Sequence, residues 1–278
     1  MTLKKFKPTT PGRRHMSVAS FEEITKTKPE KRLTVMLKRF SGRNHEGQIT
    51  VRHRGGGVKR RYRLVDFKGG TDKLDMEAKV KAIEYDPYRT AYIMLLNYKD
   101  GEKRYQILPT EVKVGDTVVA RERAKVKVGN RMMLKHIPIG YSVYNVELNE
   151  GQGGQLGRCA GANIKLVSLE ENYAQVQMAS GEIRLVNKNC YASVGIVSNI
   201  EHNNIKIGKA GRKRHMGWKP TVVGTAMIPK DHPHGGGKGH TSIGLKHPKT
   251  PWGMPALGFK TRKRKYTTKF IIKDRRRK

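Results

Sequence analysis

The chain has 278 residues, with 58 Lys and Arg against 23 Asp and Glu, a formal net charge of +35 and a pI near 10.4. A charge of that size does not select a fold; it selects partners, favouring nucleic acid or an anionic membrane surface. No run of about 18 apolar residues offers a membrane span, Met1-Thr2-Leu3-Lys4-Lys5 leads into no apolar secretory signal, and two cysteines (Cys159 and Cys190) exclude a disulfide framework or a four-cysteine zinc site, so a cytosolic protein with ordinary thiols is expected.

Residues 1–63 hold 18 Lys and Arg against four acids and read as a basic N-terminal arm. Such a segment repels itself and has little apolar surface to bury, so order is expected only against a partner. Within it, Arg52 and Arg54 precede Gly55, Gly56 and Gly57, and Lys59, Arg60 and Arg61 follow. Glycine lets main-chain N–H groups come close to phosphate oxygens, and arginine forks match those oxygens in pairs. A nucleotide-binding glycine loop needs a strand before it and a helix after it. Here a cationic run follows instead, which favours an RNA backbone.

Residues 64–125 alternate as short strands: Val80 to Tyr85 ending at Asp86-Pro87, Ala91 to Leu96, the hairpin signal Lys99-Asp100-Gly101, Tyr105 to Leu108, and Thr117 to Ala120. Five strands fit a small barrel of the oligonucleotide-binding kind. Residues 126–198 give a second set, at 142–147, 162–167, 173–178, 183–186 and 193–197, fitting an SH3-like barrel. The fold class expected is therefore all-β, two small barrels with long basic extensions. In the second barrel the loop Gly151-Gln152-Gly153-Gly154 with Arg158 again thins the side chains beside a cation.

From 199 to 278 the chain is a basic Gly/Pro-rich extension with no strand expected and room for one short helix after Lys206. Its cationic clusters include Arg212-Lys213-Arg214. Trp218 and Trp252, the only tryptophans, would stack on bases or else plug an apolar gap or cover a ribose face. The densest signal is Asp231-His232-Pro233-His234-Gly235-Gly236-Gly237-Lys238. As metal ligands His232 and His234 lack the third and fourth donors a zinc site needs, so no metal is expected. As general acid–base groups their chemistry suits neutral pH, but no nucleophile or second carboxylate accompanies them. As donors to phosphate or 2′-OH groups they need only proximity, which the glycines favour.

These blocks, together with Ser41-Gly42-Arg43-Asn44, Tyr85-Asp86-Pro87 and Thr250-Pro251-Trp252-Gly253, resemble the bacterial family of large-subunit ribosomal protein number two along nearly the whole chain. The resemblance implies a primary binder of large-subunit rRNA, in the cytoplasm within the large ribosomal subunit and close to the peptidyl transferase centre. It supports subunit association and tRNA binding beside other ribosomal proteins, with contact to the small subunit and no membrane. No cofactor is implied, and Mg2+ would enter only through the rRNA. The resemblance ties a histidine of the Asp-His-Pro-His segment to peptide-bond formation, which makes His232 the candidate catalytic residue, although the ribosome's chemistry belongs to RNA. The chain departs from the family pattern at Val58, Cys159, Ile228 and Lys238, the last of which replaces an acid and weakens any carboxylate-assisted mechanism.

Overall fold

The computed structural model describes residues 3–239 and 241–276. Its regular structure is almost entirely antiparallel β, as the strand pattern predicts, and its two α-helices, α1 (Pro11–Arg14) and α2 (Ala210–His215), are very short. The chain forms two compact units that interleave along the sequence: Met1–Lys38, Lys59–Lys209 and Thr267–Lys278 make unit 1, while Arg39–Val58 and Ala210–Tyr266 make unit 2.

Unit 1 starts with β1 (Leu3–Lys5), which pairs with β2 (Ser17–Ala19); Ser17 and Lys206 exchange hydrogen bonds of 3.0 and 2.9 Å. A second ribbon joins β3 (Thr34–Val35) to β4 (Tyr62–Arg63). Next come β5 (Glu77–Glu84), β6 (Ile93–Tyr98), β7 (Lys103–Ile107) and β8 (Thr117–Val119), hydrogen-bonded in the order β7-β6-β5-β8. Five strands were expected here and four form this sheet; Val65 adds a single parallel bridge to Tyr105. The Lys99-Asp100-Gly101 hairpin forms as read, with Gly101 at φ +84° and its N–H on Tyr98 O at 3.0 Å.

Strand β6 is central and buried on both faces, which explains its unbroken apolar run. Met94, Leu96 and Tyr98 enter one core; Ile93 and Leu95 enter another. Strand β5 serves both cores through a bulge between Val80 and Ala82, after which the strand changes face. Val80 and Ile83 pack in the first core and Ala82 in the second.

The second sheet runs in the order β17-β15-β14-β13-β10-β16-β9. Its strands are β9 (Arg131–Met133), β10 (Ser142–Tyr144), β13 (Ile164–Leu169), β14 (Tyr173–Gln177), β15 (Ile183–Asn187), β16 (Tyr191–Val194) and β17 (Ile271–Lys273), while β11 (Val146–Glu147) and β12 (Gly154–Leu156) pair separately. The continuous strand expected at 142–147 breaks at Asn145, which takes φ +49°. Alternate residues such as Ile164, Leu166, Ala174 and Val176 fill one core with Val186, Val194 and Cys190. Burial pushes the Cys190 thiol up to about 12, so it packs as a small apolar group.

Two features correct the sequence reading. The extension after 199 does contain a strand: β17 pairs with β15, and Phe270 meets Tyr173 at 6.2 Å between ring centroids. Likewise, β1, β2 and β3 give the N-terminal arm in-chain partners, where order only against a partner was expected. Composition argued against both because it averages over a segment, whereas two or three residues suffice to pair with a neighbouring strand.

The two sheets of unit 1 share an apolar seam of Ala91, Ile107, Tyr144, Ala162 and Val197. Beside it lies a fully buried ion pair, Arg131–Glu147, at 3.0 Å. Arg131 also donates to Asn145 O at 2.8 Å, and the Tyr191 N–H donates to the other Glu147 oxygen at 3.1 Å. Gly69 makes room: a Cβ there would stand 2.5 Å from Arg131 Cδ.

Candidate nucleic-acid interface

Unit 2 brings together most of the predicted contact residues, although they lie some 160 positions apart in sequence (His53 to Trp218, for instance, span 165). Its scaffold is a backbone clasp. Gly55 N–H donates to Gly217 O at 2.9 Å, Val58 N–H to His215 O at 2.9 Å and Lys219 N–H to His53 O at 3.0 Å. His53 Nδ1 adds a 2.9 Å contact to Pro220 O. Gly57 permits this closeness, because a Cβ on it would stand 2.9 Å from the Cα of Gly217. Arg39 closes the turn by donating to the carbonyls of Gly57 (2.7 Å) and Val58.

The bareness of Gly57 is thus consumed inside the chain. Gly55 is also hemmed in, by Ser41 and the Lys219 side chain, at φ +121°, whereas a Cβ on Gly56 would meet open space. Of the three, Gly56 alone fits the reading of a glycine left bare for a visitor.

Both tryptophans lie against arginines of the first glycine segment. Arg54 sits over the Trp218 ring at 3.6 Å, across an antiparallel bridge between the same two residues, and Arg52 stands 5.5 Å from the Trp252 ring. Such a stack fixes the guanidinium plane and leaves its edge free to bind oxygen anions. Trp252 is 76% exposed and plugs no apolar gap, and Trp218 is exposed as well. Helix α2 carries Arg212, Lys213 and Arg214 in a single turn, with Lys213 and Arg214 exposed.

The histidine segment is folded onto itself. His232 is the one buried residue of unit 2 among the described residues. Its ring lies on Gly224, where a Cβ would come within 2.5 Å of Cε1. Its Nδ1 accepts the His234 N–H at 3.0 Å, and its backbone carbonyl accepts the Gly235 N–H at 2.8 Å. His234 Nε2 accepts the Lys249 N–H at 2.9 Å, and the two rings stand 4.8 Å apart. In their neutral forms the rings are therefore opposite tautomers, His232 carrying its proton on Nε2 and His234 on Nδ1.

Gly235 is bare because a side chain would strike the Ile228 carbonyl, and Gly236 and Gly237 hold φ near +90° and +83°. Lys238 is exposed beyond them. The His232 ring forms part of the wall of an open groove of about 420 Å3, with Arg52, His53, Val222, Met227 and Trp252 around it. Among the described residues His232 Nε2 has no hydrogen-bond partner, so its N–H is the ring's available donor. Sequence reasoning missed Gly224, whose importance depends on a ring eight residues away and leaves no local signal.

The remaining predicted residues lie in unit 1. Lys59 and Arg61 are exposed beside β4. Arg60 is engaged in-chain, donating to Pro87 O at 2.9 Å with its guanidinium 4.7 Å over the Tyr88 ring. Arg158 sits 4.4 Å over Phe67, and Arg89, which the sequence reading did not select, stands 5.4 Å from the same ring while pairing with Asp86. The glycine loop before Arg158 is again used internally: Gly154 N–H donates to Phe67 O at 2.8 Å and its missing Cβ makes room for Asn145.

Two family models match the chain. Residues 30–120 match the RNA binding N-terminal domain of Ribosomal Proteins L2, and residues 127–253 match the C-terminal domain of Ribosomal Proteins L2.

Proposed function

The chain belongs to the ribosomal protein L2 family and is a structural, RNA-binding protein of the large ribosomal subunit; from that premise we propose that unit 2 is the part that docks deepest into rRNA, near the peptidyl transferase centre. The observation that carries this reading is the charge of a unit almost without a core. Arg39–Val58 holds four Lys and Arg and Ala210–Tyr266 holds 13, against the acids Glu46 and Asp231 alone. Packed at that density, the cations repel one another, and RNA phosphates are the counter-charge that a ribosomal protein meets.

The contacts proposed are Arg52, Arg54, Lys59, Arg61, Arg158, Arg212, Lys213, Arg214 and Lys238 to phosphates, Trp218 and Trp252 to base or ribose faces, and Gly56 to the RNA backbone. Arg60 is proposed to act through a guanidinium plane already held on Tyr88. His232 offers Nε2–H to a phosphate or 2′-OH entering its groove, which supports a positioning role. Through these contacts the protein would support subunit association, tRNA binding and peptide-bond formation, in the cytoplasm, alongside other ribosomal proteins and across the interface from the small subunit.

A second reading, a direct proton carrier at His232, draws on the same ring nitrogen, Nε2. The tautomer counts against it, since in the neutral ring Nε2 already carries a proton and Nδ1 is occupied by the His234 N–H. Reconstituted particles carrying His232→Ala separate the two. Loss of protein from the particle, or local RNA misfolding, marks an architectural role; intact particles with slowed peptidyl transfer mark a catalytic one. RNA binding itself is tested by titrating the protein with large-subunit rRNA fragments at several salt concentrations. Each neutralised phosphate steepens the log–log slope by about 0.7–0.9, and a flat response would overturn the docking proposal.

A further inference from the structure

The ribbon of β3 and β4 comes apart in a way that builds a second groove, in unit 1. Its register pairs Thr34 with Arg63 and Val35 with Tyr62, and the ladder stops there. Beyond that pair the strands diverge, Met36 continuing one side and Arg61, Arg60 and Lys59 the other. Between them lies an open groove of about 610 Å3, whose lining includes Lys31, Val35, Met36, Lys59, Arg60 and Arg61 and contains no acid. That volume falls within the roughly 300–1,000 Å3 typical of small-ligand sites.

The lining has two chemistries. Val35 and Met36 are 39% and 52% exposed, an apolar strip left uncovered in an otherwise cationic segment. Lys31, Lys59 and Arg61 supply charge from either side. Arg60 is held rigid on the Tyr88 ring and the Pro87 carbonyl, while its Nε is buried with no hydrogen-bond partner among the described residues. A groove that combines an apolar strip, a fixed guanidinium plane and flanking cations matches an unstacked nucleotide, with its base on the strip and its phosphates on the lysines and arginine. A continuous duplex presents phosphates but no free base face, so it would use the cations and leave the strip uncovered.

Resting on the RNA-binding reading of this family, we infer that the groove between β3 and β4 is a pocket for a single unpaired nucleotide of RNA. It belongs to unit 1, whereas the histidine groove belongs to unit 2, and it reads a bulged or looped-out base, adding a preference for single-stranded structure to a protein that otherwise reads charge.

The test uses the full-length protein, a fluorescein-labelled unstructured RNA oligonucleotide and a blunt-ended RNA duplex, with binding followed by anisotropy at one moderate salt concentration. Met36→Ser should weaken single-strand binding about tenfold, the order of two methylene groups left unburied by the base, and leave duplex binding unchanged, while Met36→Leu retains both. Lys59→Ala should weaken both RNAs and lower each salt slope by about 0.7–0.9. Equal loss for both RNAs in Met36→Ser, or no loss in either, overturns the pocket while leaving RNA binding intact. Failure of the unaltered protein to bind either RNA would instead overturn the RNA-binding reading itself. Thermal unfolding of the Met36 variants serves as the folding control, since Met36 is exposed and its replacement should not move the transition.

Discussion

Leu96 and His232 are both buried, and their surroundings could hardly differ more. Leu96 is fully covered by Ala78, Val80, Met94, Tyr98 and their neighbours in one of several apolar clusters of unit 1. His232 is alone: no other described residue of unit 2 is buried, and Gly224 and the His234 ring lie against it. Unit 1 can be held by removal of apolar surface from water, at about 25 cal/mol per Å2. Unit 2 has almost nothing of that kind to set against ordering entropy and repulsion among its cations. It keeps its shape through close backbone approach, arginine–tryptophan stacks and histidine rings that accept main-chain N–H groups. In this protein a core makes a platform, and a glycine-spaced, cation-rich unit is a surface waiting for counter-charge.

The sharpest way to break that contrast is at the buried ion pair. Glu147→Gln leaves the Arg131 charge buried without a counter-ion, and should cost about 3–5 kcal/mol of unit 1 stability by denaturant unfolding. A cost below 1 kcal/mol would mean that the pair is not desolvated as the structure places it. Next in size, Gly224→Ala forces a methyl onto the His232 ring and should cost about 1–3 kcal/mol. Because unit 2 has no core to share the strain, the loss should appear as faster proteolysis of the 210–266 segment and weaker rRNA binding, with the main unfolding transition unmoved.

Val223→Ala provides the counterpart. The side chain is 67% exposed, so stability should stay within about 0.5 kcal/mol. A larger loss would reveal a core in unit 2 after all. Lys213→Ala should leave stability unchanged and lower the salt slope of RNA binding by about 0.7–0.9.

The smallest effect concerns pH and belongs to unit 1. Burial raises the Glu84 carboxyl above its ordinary 4.5, opposed by the Tyr105 hydroxyl, which donates to it at 2.7 Å, and by Lys26 at 3.5 Å. The folded state therefore keeps this proton to higher pH than the unfolded chain. Its contribution is fullest below 4.5 and falls as pH rises through the window just above. Glu84→Gln should flatten that fall in thermal unfolding across the same window; an unchanged pH profile would show that Glu84 does not produce it.

Much of the platform was legible in the chain. The strand read from Val80 to Tyr85, the unbroken apolar run of β6 and the Lys99-Asp100-Gly101 hairpin are local signals, and each formed about where it was read. Strand β17 was illegible because it has no core of its own; it borrows the edge of β15 from almost 90 residues away (Arg184 pairs with Ile271). The glycines were half legible. Their density announced close approach, but for Gly57, Gly154 and Gly235 the approaching group is another part of the same chain.

Sequence alone determined the charge and its placement and the all-β character, because composition and short-range periodicity carry those properties residue by residue, and the resemblance of its motifs pointed to the family. Tertiary structure alone decided that Arg131 meets Glu147, that Arg54 lies on Trp218 and that His232 Nδ1 accepts a backbone N–H rather than meeting a carboxylate. Each of these depends on which surfaces meet once strands are paired. A buried contact between distant residues is fixed by the packing of everything around it, and no window along the chain contains that information.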